Sequence, residues 1–201
     1  MKLDRAGWPF ALWLGALTLI LVPFTYAGAG VAVAALAFTL NFFRDPERTS
    51  AADPGALISP ADGTIIRADG SRVSIFMNVF DVHVCRSPVA GRVTSVRHDA
   101  GKFFAAMKDA ASEQNERTTI VVQPAHGAPV RFVLVAGLVA RRIVCRVEAG
   151  RELASGERVG IIRFGSRVDV DLPEGASAAV AVGRRVIAGE TVIARRGVGP
   201  A

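Results

Sequence analysis

From Ala6 to Phe43 the chain carries no charged side chain. Nothing else in the 201 residues restricts folding so strongly, because such a run must find cover in protein or in lipid. The stretch WPFALWLGALTLILVPFTYAGAGVAVAALAFTLNFF (8–43) is too long for one apolar helix, which needs about 20 residues to cross a bilayer. Pro23 and the Gly28/Gly30 pair interrupt it. Two helices are therefore expected, roughly 7–22 and 27–43, hinged at Pro-Phe-Thr-Tyr-Ala-Gly. Lys2 and Arg5 precede the run, and Arg44 and Arg48 follow it. Positive charge at both ends puts both ends of a hairpin on the cytoplasmic side of the cell membrane. A secretory signal would stop at a small-residue site such as TYAGAG, yet here the apolar run resumes and reaches Phe43. Its apolar character all round excludes a surface amphipathic helix. Residues 1–43 are expected to form a membrane hairpin or a deep monotopic anchor.

The rest of the chain is long enough for one domain. A net charge of +6 makes nucleic acid the first partner to consider. However, Arg141, Arg142, Arg146, Arg151, Arg158, Arg163 and Arg167 come singly or in pairs among strand-forming residues, the pattern of a solvated sheet face. With an apolar anchor attached, attraction to anionic lipid explains the charge better, and no nucleic-acid partner is expected. Cys85 and Cys145 are too few for a disulfide framework and suit a reducing compartment, as small buried hydrophobes.

After Asp45-Pro46 the pattern becomes short β-type runs: GTIIRA, RVSIFMNV, GRVTSV, TTIVVQP, VRFVLVAGLVA and RVGIIRF. Their spacing predicts a mainly β barrel or sandwich, with one short helical segment at KFFAAMKDAASEQNE (102–116). Two internal echoes stand out. SPADGTI (59–65) returns as SPVAGRV (87–93), and GRELASGERVG (150–160) returns as GRRVIAGETVI (183–193). Such pairs resemble the barrel-sandwich halves of biotinyl and lipoyl carrier domains, a likeness of fold that assigns no function. AAMKD (105–109) resembles a biotin acceptor, but Lys108 sits in a helix-like stretch where a hairpin tip is needed. A solvent-facing lysine is the better reading.

Chemistry has few candidates. The three histidines, His83, His98 and His126, have no zinc-ligand spacing, so no metal is expected. No glycine-rich phosphate loop follows a strand. His83 in FDVHVCRSP ends an apolar strand, and Asp62 lies in SPADG. Each has a plain structural reading, as a strand-end histidine and a turn-forming aspartate. Gly-Ser occurs twice. Gly70-Ser71, in ADGSR, reads as a turn, whereas Gly165-Ser166, in RFGSRVDVDLPEG, interrupts a strand-like run.

Six stretches, in order, resemble the short form of the phosphatidylserine decarboxylase family: FFRDPER (42–48), SPADG (59–63), MNVFDVHVCRSPVAG (77–91), GKFFAA (101–106), SEQNER (112–117) and FGSRVDVDLP (164–173). The resemblance implies a proenzyme that breaks its own Gly165-Ser166 bond. Ser166 attacks the Gly165 carbonyl, and Ser166 becomes a pyruvoyl group heading residues 166–201. It further implies a heterodimer of large (β) and small (α) chains from one precursor, anchored at a membrane. The substrate implied is the phospholipid phosphatidylserine, decarboxylated through a Schiff base to the pyruvoyl group. By the same resemblance Asp62 and His83 activate Ser166 in a triad, and His83 reprotonates the product carbon. Longer members carry a second histidine where this chain has Arg86. Either His83 serves both steps, or Arg86 or another group takes one. A decarboxylase of another serine lipid, such as an ether-linked one, and a carrier or binding module that never cuts itself remain as alternatives. The domains expected are 1–43, an anchor, and 44–201, a catalytic domain divided at 165/166.

Overall fold

A computed structural model describes residues 2–50, 53, 55–101, 115–137, 142–163 and 166–196. The chain divides into two compact units, Met1–Glu47 and Arg48–Ala201. The first contains β1 (Lys2–Leu3), α1 (Trp8–Leu21), α2 (Tyr26–Phe42) and β2 (Arg44–Asp45). Pro9 occupies the first turn of α1, where its missing N–H costs nothing. Thr25 Oγ1 caps α2 by accepting from the Gly28 N–H at 3.2 Å. Antiparallel pairing of β1 with β2 closes the hairpin at its open end, where the rings of Phe10 and Phe43 stack at 5.7 Å. A side chain at Gly7 would collide with Phe43.

The helix boundaries match expectation, but the spanning hairpin does not. With 14 and 17 residues, α1 and α2 reach about 21 and about 26 Å, against a hydrocarbon core of about 30 Å. Among the described residues no helix is long and apolar enough to cross a membrane. Trp8, Leu12, Trp13, Leu19 and Tyr26 are nonetheless exposed on these helices, and Phe24 in the turn between them.

The second unit is built of β3 (Ala56–Ile58), β4 (Gly63–Ala68), β5 (Arg72–Met77), β6 (Val84–Arg86), β7 (Gly91–Asp99), β8 (Arg117–Gln123), β9 (Val130–Ala136), β10 (Ile143–Cys145), β11 (Glu152–Leu153), β12 (Arg158–Ile162), β13 (Ser166–Asp171), β14 (Ala176–Ala178), β15 (Arg185–Val186) and β16 (Val192–Arg196). Each of the six expected runs contains a strand. An eight-stranded sheet runs in the order β11-β7-β8-β9-β13-β5-β4-β15, beside two three-stranded sheets, β10-β12-β6 and β14-β16-β3. The sheets are open, so the barrel expectation is corrected to a mainly β fold without closure. Among the described residues the edge strands β11 and β15, two residues each, pair only inward, with β7 and β4. The expected helical segment, Lys108 included, falls mostly outside the described residues.

The two echoes interlock. Gly150 and Gly183 donate from their N–H groups to Val93 and Ile65, both at 2.8 Å, and Gly156 and Gly189 donate to Ser87 and Ser59 at 2.9 and 2.8 Å. Ser59 Oγ donates to the Ala61 carbonyl at 2.6 Å, and Ser87 Oγ to that of Val89 at 2.7 Å. Thus SPADGTI joins GRRVIAGETVI as SPVAGRV joins GRELASGERVG, in two matching halves. Gly63 and Gly91 have φ of 149° and 153°, and a Cβ at either would strike the backbone of Phe76 or Gln123. Glycine is needed at both for conformation and for space.

β13 lies at the centre of the large sheet, between β9 and β5. Val168 and Val170 enter the hydrophobic core with Val73, Ile75, Phe132 and Leu134. Arg167 and Asp169 alternate with them toward the opposite face. That face is not solvated here: Arg167 is 1% exposed, and its Nε donates to Asp169 Oδ1 at 2.6 Å. Its Nη2 donates to Ser74 Oγ at 3.0 Å. For Arg167 the solvated-face expectation is therefore corrected, because a buried ion pair supplies the cover that water was expected to give.

Candidate active site

Ser166 is the first residue of β13, opposite Met77 on β5 and Ala136 on β9. It is wholly buried, and its hydroxyl donates to Met77 Sδ at 3.2 Å. Gly165, the other half of the expected cleavage site, lies outside the described residues. The second Gly-Ser sits in a different setting. Asp69 Oδ1 accepts from the Ser71 N–H and hydroxyl, both at 2.8 Å, and from the Arg72 N–H at 2.9 Å. The Ser71 N–H, then the Arg67 guanidinium and the Ser71 hydroxyl, hold the Asp69 carboxyl well below the usual carboxylate range. Gly70-Ser71 is an exposed aspartate turn joining β4 to β5.

His83 is buried between that same β5 and β6. The loop from Met77 to His83 is fixed by Asn78 and Asp81. The Asn78 N–H donates to Asp81 Oδ2 at 2.9 Å, the Asp81 N–H to the Asn78 carbonyl at 3.0 Å, and the Phe80 N–H to Asn78 Oδ1 at 2.8 Å. His83 Nδ1 lies 2.9 Å from the Asp81 carbonyl oxygen. A carbonyl only accepts, so Nδ1 carries the proton, and the neutral ring keeps its lone pair on Nε2. That is the tautomer a general base requires. The Ile162 N–H donates to the His83 carbonyl at 3.3 Å, which ties this histidine to the strand leading toward Ser166. Along the chain, the loop that ends at His83 starts from Met77, the residue opposite Ser166.

Asp62 follows a different plan from the expected triad. Its Oδ1 accepts from the Ala188 N–H at 2.8 Å, and its Oδ2 pairs with Arg48 Nη2 at 3.1 Å. Arg48 also reaches Glu190 at 3.7 Å. The imidazole Nδ1 is held by the Asp81 carbonyl, so the described bonds of Asp62 link Arg48 to the 188–190 turn. Its charge is still felt at β6: burial first, then Asp62, pushes the Cys85 thiol well up. Cys85 is thus the inert buried thiol expected, with its Sγ 3.6 Å from the His83 carbonyl. Cys145 is only partly buried. Arg86 is buried and donates from Nη1 to the Gly156 carbonyl at 2.9 Å. Always protonated, its guanidinium is a donor and no base.

Sequence reasoning missed three participants. Met77 and Asp81 lie in the MNVFDVHVCRSPVAG stretch, but their contributions are a thioether and a main-chain carbonyl, neither visible as a motif. Arg48 follows the apolar run in sequence, but its side chain is 13% exposed and paired to Asp62. The FFRDPER stretch held that signal.

The phosphatidylserine decarboxylase family model matches residues 35–194. The chain is 49% identical over 178 residues to the phosphatidylserine decarboxylase proenzyme of Solidesulfovibrio magneticus, covering 84% of this chain and 83% of that one. It is 44% identical over 205 aligned positions to the proenzyme of Burkholderia ambifaria, covering 94% of both. A third relative so named, from Desulfotalea psychrophila, is 50% identical over 170 residues, 79% of each chain.

Proposed function

We infer the activity from one premise: this chain belongs to the phosphatidylserine decarboxylase family. It is a phosphatidylserine decarboxylase proenzyme, a lyase of phospholipid biosynthesis that yields phosphatidylethanolamine and carbon dioxide. The observation that carries the site assignment is Ser166, wholly buried at the head of the central strand and opposite Met77, from which the loop to His83 starts. Ser166 Oγ attacks the Gly165 carbonyl carbon while His83 Nε2 takes the hydroxyl proton. The Ser166 nitrogen leaves with a proton, and an ester joins the two halves. Loss of the Ser166 α-proton expels the residue-165 carboxylate and leaves a dehydroalanine. Water replaces its nitrogen, ammonia departs, and a pyruvoyl group heads residues 166–201. The small chain stays in place because β13 is hydrogen-bonded along both edges, to β5 and β9.

The surroundings fit that group, since Ser166 is buried against Met77 at the end of an apolar core. It supplies an electron sink for the pair left when carbon dioxide departs from the headgroup. His83, with Nδ1 fixed, holds the proton that returns to the carbon. Relatives at 43–50% identity carry the phosphatidylserine name, which gives no support to another serine lipid or to an uncut carrier domain. Intact-mass measurement of the purified protein tests the reading. Two chains are expected, with summed mass equal to the precursor plus one water minus one ammonia. One intact chain overturns self-cleavage, and a sum of precursor plus water alone indicates ordinary proteolysis.

The same reading puts the enzyme at the cell membrane, on its cytoplasmic side, with α1 and α2 embedded as a monotopic anchor. The exposed Trp8, Leu12, Trp13 and Leu19 support embedding, and the helix lengths disfavour crossing. Removing residues 1–43 is expected to release the protein from membranes while leaving self-cleavage intact. Tight retention of the shortened form in high salt would put the anchor elsewhere. Retention lost only in high salt would assign it to the arginines.

A further inference from the structure

The catalytic unit leaves four large apolar side chains outside. Val79 and Phe80 are 37% and 67% exposed, Val182 and Ile187 63% and 42%. Among the described residues of Arg48–Ala201 no other large apolar side chain is so exposed. The four lie far apart in sequence but on neighbouring turns. Arg185, between Val182 and Ile187, forms an ion pair with Asp81, the residue after Phe80. β15 is an edge strand, and Arg185 faces Thr64, which in turn faces Phe76. Both turns therefore belong to one edge of the large sheet.

That edge adjoins the candidate active site. The loop bearing Val79 and Phe80 starts from Met77, against which the Ser166 hydroxyl rests, and ends at His83. Its shape comes from Asn78 and Asp81, with the Phe80 N–H donating to Asn78 Oδ1. The Phe80 ring is 67% exposed, and exposure of so much apolar surface to water is unfavourable. Arg184 and Arg185 are exposed beside it. Apolar tips flanked by arginines complement a bilayer with anionic headgroups, the tips entering among the acyl chains and the guanidinium groups meeting phosphates.

We propose that Val79, Phe80, Val182 and Ile187, with Arg184 and Arg185, form a rim that inserts into an anionic lipid bilayer and draws the headgroup to Ser166 directly from the membrane. The proposal rests on the phospholipid substrate inferred above. It is separate from the N-terminal anchor, because a substrate whose two acyl chains stay in the bilayer needs the site itself at the surface.

Full-length Phe80→Asp and Val182→Asp variants test it, with phosphatidylserine presented in phosphatidylglycerol vesicles or as a short-chain, monomeric solution. On vesicles kcat/KM should fall roughly tenfold or more, while the monomeric substrate is turned over as before and both chains still form. Equal loss on the two substrates, or none on vesicles, overturns the rim. So does an oligomer in detergent that these variants dissolve, since a second copy would then cover the patch. A polarity-sensitive dye on Phe80→Cys should shift to the blue with phosphatidylglycerol vesicles alone, whether or not the enzyme turns over. No shift refutes the rim. A shift in a protein that decarboxylates neither substrate refutes only the assigned activity.

Discussion

Ser166→Ala is expected to give one uncut chain with decarboxylase activity at background. Alanine has no hydroxyl to attack the preceding carbonyl, and it cannot be converted to a ketone. The fold should survive the change. The hydrogen bond that Ser166 Oγ makes is to a thioether sulfur, a weak acceptor, so its loss should cost about 1 kcal/mol or less. β13 keeps its main-chain bonds to β5 and β9 in the variant. An intact mass together with an unchanged circular dichroism spectrum would separate lost chemistry from lost structure. Ser71→Ala serves as the control. It removes a bond from the aspartate turn and should leave cutting and activity untouched. Two chains in Ser166→Ala would sink the assignment of the cleavage bond.

Periodicity and turn residues carried most of the strand pattern. GTIIRA is β4 residue for residue, and the six β-type runs are legible because Gly, Pro and Asp punctuate them. The echoes were legible for a firmer reason. Their matching glycines adopt the same φ in both halves, 94° and 88° at Gly150 and Gly183, and 77° and 76° at Gly156 and Gly189. Closure was not legible, because the sequence does not reveal that β11 and β15 stop after two residues. Helix ends were found at Pro and Thr, whereas bilayer crossing depends on a length that the hinge at Pro23 cuts short. Arg167 misled because alternation of Val with Arg and Asp looks like a half-wet strand, when the charges in fact pair beneath cover. Of the proposed site, the candidate side chains Ser166, His83 and Asp62 can be named from the sequence, whereas the main-chain groups that hold His83 and Asp62 cannot. No motif announces that the Asp81 carbonyl holds an imidazole, or that the Ala188 N–H holds a carboxylate.

That hidden main-chain contact decides what loss of Asp62 should do. His83→Ala removes the group proposed to take the Ser166 proton, so cleavage should be abolished and the full-length chain should accumulate. Asp62→Asn should behave differently from loss of a carboxylate bonded directly to the base, which costs about 10⁴ in rate through the wrong tautomer. Here the Asp81 carbonyl fixes the tautomer whether or not position 62 is charged. What is lost is the negative charge, with its support for an imidazolium and its ion pair to Arg48, while asparagine can still accept from the Ala188 N–H. Cleavage should therefore slow by roughly ten- to a hundredfold and still run to completion. In His83→Ala the carboxylate has no imidazolium to support, so the double variant should be no worse than His83→Ala alone. The measurement is the rate of precursor disappearance after synthesis, read as intact mass over time. Complete loss of cutting in Asp62→Asn would mean that the carboxylate acts on the reaction directly. Normal cutting in His83→Ala would move the base to another residue, and the buried guanidinium of Arg86 could not be that residue unless it lost a proton it never gives up.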